Sequence, residues 1–212
     1  MIQHHTSKSA IVIRHGESEW NVLGKWQGRA DTLLTAAGRA QARTAAERLL
    51  ANGIPIDRVA ASSLTRARET AEIIASHLGI GDVHVDDRLV ETDVGPWQGL
   101  REHEIEAGWP NYLRDRRTPP QFESPDLVFA RAARALRDVM EPVRQPTESA
   151  HLVLVVTHSG VIRTVRRMMQ VHDRRLHNLE GCHFTIDTEG NLVAGEFIAL
   201  VSPTHATTND AV

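Results

Sequence analysis

Two histidines close apolar runs, each in a setting suited to a phosphate. The first lies in Arg14-His15-Gly16-Glu17-Ser18, straight after Ala10-Ile11-Val12-Ile13. An imidazole then stands beside a fixed cation at a strand's end, where open α/β sheets bind their ligands and where Gly16 lets the backbone turn without Cβ interference. The second lies in Thr157-His158-Ser159-Gly160, after Leu152-Val153-Leu154-Val155-Val156 and before the amphipathic Val161-Ile162-Arg163-Thr164-Val165. Either motif alone also reads as an ordinary turn or a core histidine; their recurrence favours a site. A third block, Ser62 to Ala71, follows the short run Arg58-Val59-Ala60-Ala61 and sets Arg66 near a helix N-terminus. A cation is unfavourable at the positive end of a helix dipole, and an anion bound nearby resolves the conflict. The alternative pairs Arg66 with Glu69 and Arg68 with Glu72 on a solvated face; we adopt it for Arg68 and not for Arg66.

Together with Trp20-Asn21, Gln27-Gly28, Asp31, Leu34-Thr35, Gly38-Arg39 and Leu89 to Gly99, these blocks resemble the histidine phosphatase superfamily, also called phosphoglycerate mutase-like, over residues 10–190. The resemblance implies that His15 takes a phosphoryl group from a monoester and that water then hydrolyses the phosphohistidine, splitting one displacement into two easier ones. Such a nucleophile needs an unprotonated nitrogen, so its other nitrogen is expected to be tied to an acceptor, a backbone carbonyl of the turn. Arg14, Arg66 and His158 form the expected clamp on the phosphate oxygens, and a cationic His158 would add charge-assisted hydrogen bonds. Asn21 is a further donor by resemblance and a turn cap on sequence alone. Ser159 contributes a backbone N–H where the family often has glycine, and Gln27 and Gly28 complete the substrate-binding set.

The leaving alkoxide needs a proton. Spacing alone does not choose among Glu17, Glu91 and Asp93; the resemblance selects Glu91, two residues after Leu89 and four before Gly95. The block Glu91 to Leu100 is similar to the phosphatase branch, because mutases of the family carry a longer, more basic block there. The expected activity is therefore metal-independent hydrolysis of a small phosphorylated metabolite without a cofactor. A mutase, a phosphoprotein phosphatase and a non-catalytic phosphate-binding regulatory module are the other readings.

Strands alternate with helices along the chain, which implies a three-layer α/β/α sandwich around a mostly parallel sheet. Ala42, Ala45, Ala46, Leu49 and Leu50 form one helical stripe, with Thr35 as N-cap and Asn52-Gly53 as the stop. Ala67, Thr70, Ala71, Ile74 and Leu78 form a second that ends at Gly79; Phe129, Ala132, Ala133, Leu136, Val139 and Met140 form a third before Pro142. We expect one domain over 1–212, with a core at 10–200, a lid insertion at 100–125 and frayed tails at 1–9 and 202–212. In the lid, Arg101, Arg114, Arg116 and Arg117 either grip a second anionic group or pair with Glu102, Glu104, Glu106 and Asp115. Gln121-Phe122 stand where the family has glycines.

A net charge of −3 argues against a general nucleic-acid or membrane surface. No apolar run is long enough to span a bilayer and the start lacks a signal-peptide h-region, so the expected location is cytoplasmic. Cys182 is the only cysteine and the twelve histidines show no ligand spacing, so no metal site is expected. Dimers are common among similar enzymes, which leaves a homodimer open.

Overall fold

The computed structural model describes residues 8–141 and 151–202. In chain order its elements are β1 (Lys8–Arg14), α1 (Glu19–Val22), α2 (Ala36–Ala51), β2 (Arg58–Ala61), α3 (Thr65–Leu78), β3 (His84–Val85), α4 (Glu102–Gly108), α5 (Pro125–Met140), β4 (His151–Thr157), α6 (Ser159–Met168), β5 (Glu180–Ile186) and β6 (Leu192–Ala199). The strands form one mixed sheet in the order β3-β2-β4-β1-β5-β6. Neighbours from β3 to β1 run parallel, whereas β5 is antiparallel to both β1 and β6. The expected strand–helix alternation therefore ends after α6, and the chain closes with a hairpin whose short turn leaves no room for a crossover helix.

Both faces of the sheet are covered, which is why its central strands read as unbroken apolar runs. Along β1, Ala10 and Val12 pack with α5 and α6, while Ile11 and Ile13 pack with α2 and α3. The period of two in the strand divides these residues between two cores, giving the three layers. Thr35 caps α2 by accepting from the Gly38 N–H, and α3 ends on Gly79 in the left-handed region. Leu50 departs from the expected stripe: it is 57% exposed, one position beyond the buried Leu49.

The expected N-terminal fray is also too long. Lys8 and Ser9 belong to β1, because their pairing with His151 and Leu152 of β4 gives the backbone partners to that point. Residues 1–7, Pro142 and residues 203–212 lie outside the described residues. The segment 100–125 contains α4 and is anchored by an aromatic cluster separate from both sheet cores. Trp97 meets Trp26 and Phe122 edge to face at 5.1 and 5.6 Å. Each such pair adds about 0.5–1.5 kcal/mol beyond area burial. Among the described residues no helix is long and apolar enough to cross a membrane.

Candidate active site

Strand register brings the two histidines together. Arg14 of β1 lies opposite Thr157 of β4, so His15 and His158 are the next residues past the ends of adjacent parallel strands. The His15 N–H donates to the Thr157 carbonyl at 3.0 Å, and the imidazole centroids are 5.2 Å apart. On the other side of β4, the Ser62 N–H donates to the Val156 carbonyl, which places the Ser62 hydroxyl 2.9 Å from His158 Nε2.

The tautomer of His15 follows from its partners. Nδ1 lies 2.6 Å from the Gly16 carbonyl, which only accepts, so Nδ1 carries the proton. Nε2 receives the Nε–H of Arg66 at 3.2 Å, which only donates, so Nε2 holds the lone pair. The Arg66 guanidinium also donates to the Ala30 and Gly28 carbonyls at 2.7 and 2.9 Å. Three acceptors, not Glu69, hold this fully buried cation at the start of α3; Glu69 pairs with Arg39, and Arg68 pairs with Glu72 at the expected four-residue spacing. Burial, then the Arg66 and Arg14 charges, hold the His15 imidazolium well below its ordinary range. His158 is shifted the same way by burial, then by Arg66 and His15. Burial and these charges thus favour neutral His158, not the cation considered above.

Of the three carboxylates that spacing left open, Glu91 shares a small cavity of about 10 Å³ with His15, Gln27, Gly28 and Arg66. Its oxygens accept from the Thr92 and Gly160 N–H groups at 2.7 and 3.2 Å. Glu17 instead accepts from the Thr35 hydroxyl at the head of α2, and Asp93 caps the Gly95 N–H. Arg14 is buried and donates to the Leu176 carbonyl. Asn21 and Gln27 show both sides of their readings. The Asn21 Oδ1 accepts from Ser18 and Asn178, and the Gln27 Oε1 from Ser18 and Thr32, so their oxygens serve the turn and any phosphate contact falls to their amide nitrogens. Gly28, at φ +50°, contributes its carbonyl to Arg66, and a Cβ there would meet Val94 at 2.7 Å. Ser159 begins α6 and is buried.

Several supporting residues escaped the sequence reading. Thr70, read only as core, accepts from the Gly16 N–H and donates to the Arg66 carbonyl. Asn178 donates to the His15 carbonyl across 163 positions, a contact with no local signal. Arg131 on α5 donates to the Arg88, Val90 and Glu91 carbonyls and pairs with Glu123, tying the Glu91 turn to the end of the lid. A larger cavity of about 700 Å³ adjoins the small one: Trp26 lines both, and Thr92 follows Glu91. Of the lid arginines, Arg114 and Arg117 pair with Asp115, Arg101 does neither and donates to the Leu23 carbonyl, and Arg116 and Arg117 line the larger cavity, Arg117 also stacking on Tyr112. Among the described residues, no group of three or more His, Cys, Asp or Glu side chains is placed to hold a metal.

Comparison with known proteins identifies relatives of the chain. The model of the histidine phosphatase superfamily (branch 1) matches residues 10–191. Phosphoglycerate mutase-like protein 4 of Arabidopsis thaliana is 35% identical over 176 residues, covering 80% of this chain and 74% of its own. A 2,3-bisphosphoglycerate-dependent phosphoglycerate mutase of Methylobacterium is 33% identical over 162 residues, covering 73% and 77%. The native structure of a mycobacterial glucosyl-3-phosphoglycerate phosphatase superposes with a TM-score of 0.75 at 26% identity, covering 91% of this chain and 96% of that one.

Proposed function

This chain belongs to branch 1 of the histidine phosphatase superfamily, and from that premise we propose that it is a phosphomonoesterase that acts through a phosphohistidine on His15. The observation that carries the reading is the state of His15: neutral, protonated on Nδ1 by its bond to Gly16, with the Nε2 lone pair turned to Arg66. An incoming phosphate oxygen competes for the Arg66 N–H and uncovers that lone pair.

In the first step Nε2 bonds to phosphorus while the ester P–O bond breaks, and Glu91 gives its proton to the departing oxygen. In the second, Glu91 takes a proton from water as the water oxygen attacks phosphorus, the N–P bond breaks, and phosphate leaves. Arg14, Arg66 and His158 hold the equatorial oxygens through both steps. Each unit charge pair about 4 Å apart contributes on the order of 4 kcal/mol before desolvation at an effective dielectric near 20. A bound dianion also offsets the Arg66 and Arg14 charges that act together with burial on His158, favouring its imidazolium. These cations supply the neutralisation that a metal would otherwise give.

Release of inorganic phosphate from a panel of small monoesters, with EDTA present and a His15→Ala variant alongside, tests the proposal. Turnover by the wild type alone supports it; turnover that EDTA abolishes or that His15→Ala retains contradicts it. The mutase-named relative favours a second reading, phosphoryl transfer within or between phosphoglycerates. Phosphate that appears on an acceptor rather than in solution identifies that case.

A further inference from the structure

The row of groups at the strand ends does not stop at the two histidines. In the order β2-β4-β1, parallel register sets Ala61 opposite Val156 and Arg14 opposite Thr157. The residues just past these three strands are Ser62, His158 and His15. Ser62 is fully buried and lines neither of the two cavities described above, so no substrate reaches its hydroxyl. Its route to the chemistry runs through His158, whose Nε2 lies 2.9 Å away.

The proton positions follow from the partners. The Ser62 hydroxyl accepts from the Leu64 N–H at 3.3 Å, in the turn that opens α3. Among the described residues its own proton has one acceptor, His158 Nε2, and buried hydroxyls are normally paired. Ser62 therefore donates and Nε2 holds the lone pair, so a neutral His158 carries its proton on Nδ1. That nitrogen is buried and has no hydrogen-bond partner among the described residues. With Nε2 committed to Ser62, Nδ1 is the ring nitrogen left to serve a phosphate oxygen, and it serves one only as an N–H. In the other tautomer Nδ1 would present a lone pair to the phosphate, and the Ser62 proton would have no acceptor.

We infer that Ser62 is a positioning residue that holds His158 in the Nδ1–H tautomer, so that the second histidine offers a donor to the transferring phosphoryl group while still neutral. The inference rests on the phosphomonoesterase reading, in which His158 is one of the groups that hold the oxygens of that phosphoryl group. The same hydroxyl also serves the charged form. When His158 is an imidazolium, the second lone pair of Ser62 Oγ accepts the Nε2–H, and Nδ1 keeps its proton. The donor toward phosphate thus persists in both charge states. Through Leu64 the hydroxyl also braces the turn into α3, the helix that carries Arg66, so one side chain ties together two members of the clamp.

Long-range proton–nitrogen correlation spectra of nitrogen-labelled protein above neutral pH read the tautomer directly, with His158→Gln assigning the resonances. The wild type is expected to show His158 with a protonated Nδ1 and a bare Nε2. A protonated Nε2 beside a bare Nδ1 overturns the inference whatever the variants do. In Ser62→Ala both tautomers are expected, drawing the two nitrogen shifts together, and Ser62→Thr, which keeps a hydroxyl, restores the split. Steady-state kinetics on the best monoester is expected to show kcat/KM about 10-fold lower in Ser62→Ala, the size of one hydrogen bond at a reacting centre, and largely recovered in Ser62→Thr. Unchanged kcat/KM in Ser62→Ala overturns the inference and leaves the phosphatase reading in place. If the wild type turns over no monoester, that reading fails, and the spectra still decide the tautomer. Calorimetry with orthovanadate then replaces the kinetics: binding about 10-fold weaker in Ser62→Ala supports the role of Ser62, and equal binding overturns it.

Discussion

Arg66 meets His15 Nε2 and two backbone carbonyls with one planar fork. Lysine keeps the charge but presents a single ammonium on a flexible stem, which cannot reproduce that fork. Arg66→Lys is therefore expected to lower kcat by about 10²- to 10³-fold, the loss typical of removing a placed donor at a charged transition state. Steady-state kinetics on the best monoester checks this, and near-wild-type kcat would show that charge alone suffices. The same contacts explain why a cation occupies the first turn of α3: carbonyls of residues 28 and 30, folded against it from a preceding loop, offset the unfavourable helix-dipole position.

At the scale of elements, Glu91 is held by the head of α6. The Gly160 N–H donates to one oxygen, and a Cβ at Gly160 would lie 2.5 Å from the other. Alanine is the better helix former by about 1 kcal/mol, so Gly160→Ala sets helix propensity against the placement of the acid. We expect a folded variant whose kcat falls about 10- to 100-fold, within the range that general acid–base catalysis contributes. Circular dichroism beside steady-state assays separates that from unfolding. The lid offers an opposite case. Gln121 adopts φ +71°, a backbone conformation that glycine takes without strain. Gln121→Gly is expected to stabilise by about 1 kcal/mol, the penalty for an L-residue in the left-handed region, seen as a higher denaturation midpoint. An unchanged or lower midpoint counts against it.

Across the whole molecule, folding places two imidazoles at the buried ends of β1 and β4 and holds both neutral. The unfolded chain protonates them near pH 6.5, whereas the folded chain does so only at lower pH. Between those values the unfolded state binds more protons, so stability rises with pH and is lost as pH falls below about 6.5. The slope is up to about 1.4 kcal/mol per pH unit for each histidine. Thermal denaturation between pH 7.5 and 5 should therefore show a falling Tm, less steep in His158→Gln. A flat profile, or one identical in the variant, would contradict the buried neutral pair.

The sequence by itself determined the layers and the candidate reacting groups. Unbroken apolar runs required a sheet covered on both faces, helical periodicity placed the covering stripes, and His15, Arg14, Arg66 and His158 stood at element ends that the turn chemistry marks. These are local signals, carried by a period or a cap within a few residues. Only the tertiary structure decided how the groups meet. Strand order set His15 beside His158, separated by 143 positions in the chain. The head of α6 and Arg131 of α5 hold Glu91, which the resemblance had selected, in the small cavity beside His15. Arg163, Arg167 and Arg175 joined a cavity with residues from the lid. Such pairings depend on register and on which faces pack, and neither leaves a trace in the spacing of residues along one chain.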